Sequence, residues 1–174
     1  MTYDELLKYI DDKLSWENGT ETGSAYSAMY LDSKRLNKQI LEGYQILKVL
    51  STNCKAWRNH PAVLMWEGHE FELLKYIYRM IDEAKSRGIK TDKNYDNVRD
   101  LVANHSAYWG KSQPDWMRDK EKLGRIVATH RANLYRKDPI YYAEYAKAVD
   151  HKLNKPCCDK CLYYWPTHPL RKAK

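Results

Sequence analysis

Residues 32–50 read DSKRLNKQILEGYQILKVL. Leu36, Ile40, Tyr44, Leu47 and Leu50 recur at steps of three and four, the spacing that stacks side chains on one face of an α-helix. At about 100° per residue, Arg35, Lys38 and Glu42 gather off that face, so one helix predicts both an apolar stripe and a charged one. Gly43 falls on the apolar side, where it permits close packing at some cost in helix propensity.

The same period extends outward in both directions. Upstream, Tyr3, Leu6, Leu7, Ile10 and Leu14 predict an amphipathic helix, and ENGTETGS at 17–24 reads as a polar linker. Downstream, Pro61 suits a first helical turn and Gly88 a C-cap. Between them Val63, Trp66, Leu73, Leu74, Ile77, Ile81 and Ala84 form a buried stripe. The spacing predicts one long helix that crosses the domain, bent at Gly68. A shorter helix is expected over 92–104, a loop over 108–116, and a helix over 118–137 with Leu123, Ile126, Val127, His130 and Leu134 on one side. Asp138 and Pro139 break it. A Tyr-rich helix is expected over 140–152, then an irregular tail. With no strand-like alternation, the reading is all-α. It predicts a single compact helical domain over 23–174 with a long central helix, an extra acidic N-terminal helix and linker over 1–22, and an irregular C-terminal tail.

Composition bounds the function. The 174 residues carry 43% hydrophobic and 30% charged side chains, the balance of a globular chain with a real core. No run approaches the roughly 18 apolar residues of a membrane span. The N-terminus carries acids where a secretory signal carries bases, so the expectation is a cytoplasmic protein with no membrane association. Net charge is +7. Residues 1–22 hold six acids against two bases, a local −4, which leaves +11 on the rest. A basic body points to a polyanionic partner, nucleic acid first. The fifteen Tyr and six Trp, against one Phe, suit half-exposed positions as well as core, and such rings stack on bases. Trp57, Trp66, Trp109 and Trp116 divide between core and a possible base-unstacking wedge. Of the four Cys, Cys157, Cys158 and Cys161 cluster as C-C-x-x-C. With His151 or His168 they could hold zinc, but the spacing fits no standard site and reduced thiols are the simpler reading.

Three stretches carry a family resemblance. They are SAMYLDSKRLNKQILEGYQIL at 27–47, WRNHPAVLMWEGHEFELLKY at 57–76 followed by Arg87 and Gly88, and HRANLYRKDPIYYAEYAKA at 130–148 followed by Tyr164, Trp165 and Pro166. Together, over roughly residues 24–166, the chain resembles the pyrimidine-dimer DNA glycosylases of the phage endonuclease V type, more closely their shorter bacterial and phage branch. The resemblance implies a bifunctional repair enzyme that needs no metal or organic cofactor. Such an enzyme cuts the glycosidic bond of a damaged pyrimidine, nicks the strand at the abasic sugar, kinks the duplex and extrudes a base. It implies duplex DNA with damaged or abasic sites as partner, and a monomer. Its nucleophile is the α-amine exposed when the initiator Met is removed, which places Thr2 in that role here. Its helical glutamate corresponds to Glu42, six residues after Leu36. Arg35 takes a position held by His in the better-known branch. Tyr141, Tyr142, Tyr145 and Lys147 resemble an aromatic segment that lies near DNA, and His130 with Arg131 falls near a basic active-site position. Thr2 and Glu42 are forty positions apart, further than in that branch, because of the N-terminal extension.

The chemistry of these residue types is consistent with that assignment. A free α-amine has a pKa of about 7.7–8.0 against about 10.4 for Lys, so near pH 7 about a tenth of α-amines are unprotonated. That makes the α-amine the better nucleophile, with Lys34 and Lys38 as fallbacks. Glu42 would steady a cationic Schiff base and move protons for β-elimination, with Arg35 beside it on phosphate. Taken alone, Glu42 reads equally as a solvated ion-pair partner. Arg58, Asn59 and His60 read either as a phosphate clamp or as the N-cap of the next helix. His69 and Glu70 read as polar surface. His130, on an apolar stripe, reads first as a packed core residue. Arg131, Arg136 and Lys137, with Arg118, Lys120, Lys122 and Arg125, form a basic strip diluted by Asp119 and Glu121, suited to sequence-independent DNA binding through phosphates together with Lys38, Arg58 and Lys147. Two alternatives stay open: a non-catalytic DNA-binding protein of the same fold, and a zinc-stabilised interaction module.

Overall fold

The computed structural model describes residues 27–150, 155–156 and 163–166. The expected helix and linker at 1–22 and the clustered cysteines lie outside them. The chain divides between Ser112 and Gln113 into two units, a boundary that falls inside the stretch 23–174 expected as one domain.

In the first unit a helical turn over 27–30 leads into α1, Ser33–Ser51. Asp32 caps α1: its Oδ1 accepts from the Arg35 N–H at 3.0 Å. The buried positions are Leu36, Ile40, Gly43, Leu47 and Val49. Tyr44 and Leu50 are only half-buried, because the stripe centres on Gly43 rather than on the larger neighbours. There the α1 backbone meets α3, Glu70–Ser86: a Cβ on Gly43 would lie 2.7 Å from Ile77 Cγ1. The branched Ile77 is fully buried and cannot swing aside. Gly43→Ala is therefore expected to destabilise the protein by about 1–3 kcal/mol in urea denaturation, the overpacking term exceeding the gain in helix propensity.

The long central helix is broken. His60 caps a short α2, Pro61–Leu64, its Nδ1 accepting from the Ala62 N–H at 3.1 Å. Gly68 then takes a left-handed conformation, φ +77°, which ends any helical run rather than bending it. The turn is held from forty residues away. Glu70, 8% exposed, accepts from the Gly68 N–H at 3.0 Å and from the Gly110 N–H at 2.8 Å. Gly110 returns its carbonyl to the Phe71 N–H at 3.2 Å, and Trp109 packs edge-on against Phe71. His69 Nδ1 donates to the Ser112 carbonyl at 2.8 Å. Expected on the polar surface, Glu70 is instead buried and carries the clasp.

Gly88, φ +70°, ends α3 as expected. The Ile89 N–H reaches the Ala84 carbonyl and the Gly88 N–H reaches that of Lys85, each at 2.9 Å, which satisfies the last carbonyls of the helix. Arg87 beside it ties the end of α3 to the residues that lead into α1. Its guanidinium donates to the carbonyls of Leu31, Ala28 and Met29 at 2.5, 3.0 and 2.8 Å, and its Nε to Glu83 at 2.7 Å. This fixes the start of α1 against the end of α3. α4, Asp92–His105, packs on α1 and contributes the fully buried Val98.

The second unit opens with α5, Asp115–Arg118, and α6, Lys120–Lys137. Asp119 ends the first and caps the second, accepting from the Glu121 and Lys122 N–H groups at 3.0 and 3.1 Å. Those bonds, the one from Lys122 foremost, hold its carboxyl below the usual carboxylate range. The buried face of α6 is Ala128, Thr129, Ala132 and Asn133, not the predicted Leu123, Ile126, Val127 and Leu134, which are half-buried. Hydrogen bonding within the helix makes that burial possible: Thr129 donates to the Arg125 carbonyl at 2.9 Å and Asn133 to the Thr129 carbonyl at 2.8 Å. The Tyr-rich helix expected over 140–152 does not form. Asp138 accepts from the Tyr141 N–H at 3.1 Å, and the chain continues as a single 3-10 turn, Ala143–Tyr145. A two-residue pair, β1 Val149–Asp150 and β2 Lys155–Pro156, runs antiparallel in register Val149 with Pro156. The fold class is all-α. No helix among the described residues is long and apolar enough to cross a membrane.

Candidate active site

Arg35, Lys38 and Glu42 share one face of α1, spaced by three, four and seven residues, so they climb two turns in a row. Lys38 Nζ lies 3.5 Å from Glu42 Oε1. The Glu42 side chain is 44% exposed, open enough to meet a substrate and not buried at the cost of its charge. Arg35, expected beside Glu42, closes on Asp32 Oδ2 at 2.6 Å and so serves the helix cap.

Sequence reasoning missed two further residues linked to Glu42, Tyr76 and Gln39. Tyr76, half-buried on α3, feels the Glu42 carboxylate, and the Gln39 side chain hydrogen-bonds its phenol. Burial pushes the phenol well above the ordinary tyrosine range, and the Glu42 charge adds to the shift, against the smaller lowering from Gln39. Tyr76 therefore stays protonated at any physiological pH and presents a neutral donor beside a carboxylate. Trp66 backs it, with ring centroids 6.1 Å apart. Gln39 was open to discovery, one turn before Glu42 on the same face. Tyr76 was not, since its place depends on how α3 packs on α1.

The raised phenol has a measurable consequence. Above pH about 10 an unfolded Tyr loses its proton. The folded chain keeps it, so the native state binds more protons there and stability falls as pH rises. Between pH 8 and pH 11, urea denaturation should show a smaller loss of stability for Tyr76→Phe than for the parent protein. Equal losses in the two would show that Tyr76 titrates normally.

The other candidates fall in two places. At the end of α1, Arg58 donates to the Val49 carbonyl at 2.9 Å and pairs with Glu67 at 3.2 Å, so it anchors a loop. His60 is the cap described above, and the Trp57 ring stacks on it at 5.3 Å. The N-capping reading of His60 is thus the observed one. In the second unit His130 Nδ1 donates to the Ile126 carbonyl at 2.8 Å, and its ring packs near Tyr163 and Trp165, a packed position as read. Arg131, Arg136, Lys137 and Lys147 are exposed. The Arg131 guanidinium lies over the Tyr145 ring at 5.2 Å, Arg136 donates to Asn133 at 2.5 Å, and Lys137 reaches the Tyr163 hydroxyl at 3.2 Å. Tyr142 is 1% exposed and stacks with Tyr145; its ring belongs to the interior, and Tyr141 is the exposed neighbour. Thr2 lies outside the described residues. Among the described residues no group of His, Cys, Asp and Glu is arranged to hold a metal.

Comparison with known proteins finds one family. The model of the family described as pyrimidine dimer DNA glycosylase matches residues 21–97, the segment that contains α1, α2, α3, Glu42 and Tyr76. No curated protein and no solved structure matches the chain.

Proposed function

We propose that this chain, whose residues 21–97 match the model of the pyrimidine dimer DNA glycosylase family, excises damaged pyrimidines from duplex DNA and then nicks the strand at the abasic sugar. One observation carries the site assignment. Within the matched segment Glu42 is a half-exposed carboxylate paired with a cation, Lys38, and within electrostatic reach of a protonated phenol, Tyr76.

The reaction needs an unprotonated amine. Its lone pair bonds to C1′ of the damaged nucleotide as the glycosidic bond breaks, and the bond pair leaves with the base, which takes up a proton. The sugar ring opens to a protonated Schiff base. Glu42 stabilises that cation through space and accepts the C2′ proton, whose bond pair forms the C2′–C3′ double bond as the 3′ phosphate leaves. Tyr76 orients Glu42 and supplies a donor to the departing oxygen or base. The Thr2 α-amine is the proposed nucleophile because its intrinsic pKa lies nearest neutrality. Lys38, 3.5 Å from Glu42, is the alternative. Exposed Lys34 and Lys38 in the first unit, and Arg131, Arg136, Lys137 and Lys147 in the second, contact phosphates.

The test is incubation with a duplex carrying one abasic site in the presence of borohydride, followed by peptide mapping. A cross-link at Thr2 or at Lys38 supports the amine mechanism and identifies the nucleophile. DNA binding without any cross-link would sink the lyase step and leave a DNA-binding protein of this fold.

A further inference from the structure

Among the described residues Trp57 is the one non-glycine residue with a positive φ, +65°. A bulky side chain is rare in that conformation and persists only where the surroundings enforce it. The surroundings here are specific. The Trp57 carbonyl accepts from the His60 N–H at 2.8 Å, and the next residue, Arg58, is pinned to the end of α1 through the Val49 carbonyl. The strained backbone does not serve to bury the ring. Trp57 is 64% exposed, while Trp66, Trp109 and Trp116 are each 7% exposed or less. One face of the indole stacks on His60, with centroids 5.3 Å apart and planes 29° apart, and His60 is itself held as the α2 cap. The ring is thus fixed in orientation and largely open to solvent. The loop that presents it, residues 52–60, reads TNCKAWRNH and contains no acid; its Arg58 is paired with Glu67, and Lys55 is its exposed cation.

From this geometry we infer that Trp57 is a base-stacking platform that receives a nucleobase unstacked at the lesion. The inference rests on the proposed DNA substrate. Every base presents a π-face, so an aromatic ring captures an unstacked base without reading sequence. Intact duplex offers no such face, because its bases are already stacked. The ring therefore favours damaged sites, and the exposed Lys55 beside it attracts the approaching phosphates. Fixing the indole beforehand removes the ordering cost that a mobile side chain would carry on binding.

The test compares binding of the full chain to a duplex with one stable abasic-site analogue and to the undamaged duplex of the same sequence, by fluorescence anisotropy at one salt concentration. The variant is Trp57→Gly, because glycine adopts φ +65° without strain and keeps the loop path. Its melting temperature should equal or exceed that of the parent protein, which shows that the fold survives. Affinity for the abasic duplex is expected to fall by about tenfold or more, the loss of one base–aromatic stack. Affinity for intact duplex should change by less than about threefold, and Trp57→Tyr should restore most of the loss. A glycine variant with undiminished preference for the abasic duplex overturns the platform while leaving the proposed function standing. Equal weakening on both duplexes overturns it too, since the ring would then serve general binding. A parent protein that binds neither duplex overturns the proposed function, and the platform with it.

Discussion

Glu42→Gln is expected to lower strand cleavage at an abasic site by about a hundredfold to ten-thousandfold, the usual range for a lost general base. The substitution keeps the shape and hydrogen-bonding reach of the side chain and removes only its charge and basicity. A glutamine cannot accept the C2′ proton, nor can it stabilise a cationic Schiff base through space. The collateral effects are small. The ion pair with Lys38 joins two side chains that are 66% and 44% exposed, and exposed pairs one helical turn apart contribute about 0.3–0.5 kcal/mol. Stability by urea denaturation should therefore stay within about 0.5 kcal/mol, and affinity for an abasic duplex should hold or rise slightly as a negative charge is removed from a phosphate-facing surface. Rate, stability and affinity measured together distinguish chemistry from folding. A cleavage rate unchanged in Glu42→Gln would return this carboxylate to an ordinary helix-surface role, whatever the family. The same experiment on Tyr76→Phe gives a smaller loss, since it removes a donor near Glu42 and leaves the base in place.

How much of this was legible in the sequence follows from the range of the forces involved. The helical stripe around Leu36, Ile40 and Leu47 is a local pattern, and α1 lies where the 3.6-residue period places it. The pairing of Lys38 with Glu42 is likewise local, set by a spacing of four. Gly88 marked the end of α3 because a left-handed C-cap leaves a residue-level signature. Gly68 carried the same signature but sat inside an apolar period, and the period alone predicts a continuous helix. What decides against it is the Glu70 carboxylate bridging Gly68 and Gly110, a contact forty residues long in sequence. Tyr76 was invisible for the same reason: its meeting with Glu42 depends on the close approach of α1 and α3 at Gly43 and Ile77. In the second unit small and polar residues that satisfy their own hydrogen bonds, Thr129 and Asn133, occupy the buried face of α6, and a reading by hydrophobicity places the stripe on the wrong side. Tyr142 went astray likewise: a tyrosine reads as amphipathic in sequence, and only packing buries one ring and exposes its neighbour Tyr141.

Gly110→Ala is expected to be the most destabilising single-methyl substitution in the first unit, by about 3 kcal/mol or more, since overpacking and lost buried hydrogen bonds each contribute about 1–3 kcal/mol. A Cβ at Gly110 would lie 1.8 Å from the Gly68 carbonyl oxygen and 2.4 Å from its carbon. Neither atom belongs to a side chain that can rotate away, so one of the two backbones must move. Movement breaks the Gly110 N–H bond to Glu70 at 2.8 Å and strains the Gly110 carbonyl bond to Phe71 at 3.2 Å. The Glu70 carboxylate, 8% exposed, is then left with half its donors, and a buried charge short of partners costs more than a neutral group would. Gly68→Ala is the control. It has φ +77° but nothing within 4 Å of the new methyl, so it incurs only left-handed strain, about 1–2 kcal/mol. Urea denaturation of the two variants should therefore place Gly110→Ala clearly below Gly68→Ala. The reverse order would mean that the strain of the turn, and not the clasp across it, holds the start of α3. If the order is as expected, the clasp is also what presents Tyr76 to Glu42. Cleavage activity in Gly110→Ala should then fall even at temperatures where the variant remains folded, because α3 has lost the anchor that sets its first turns.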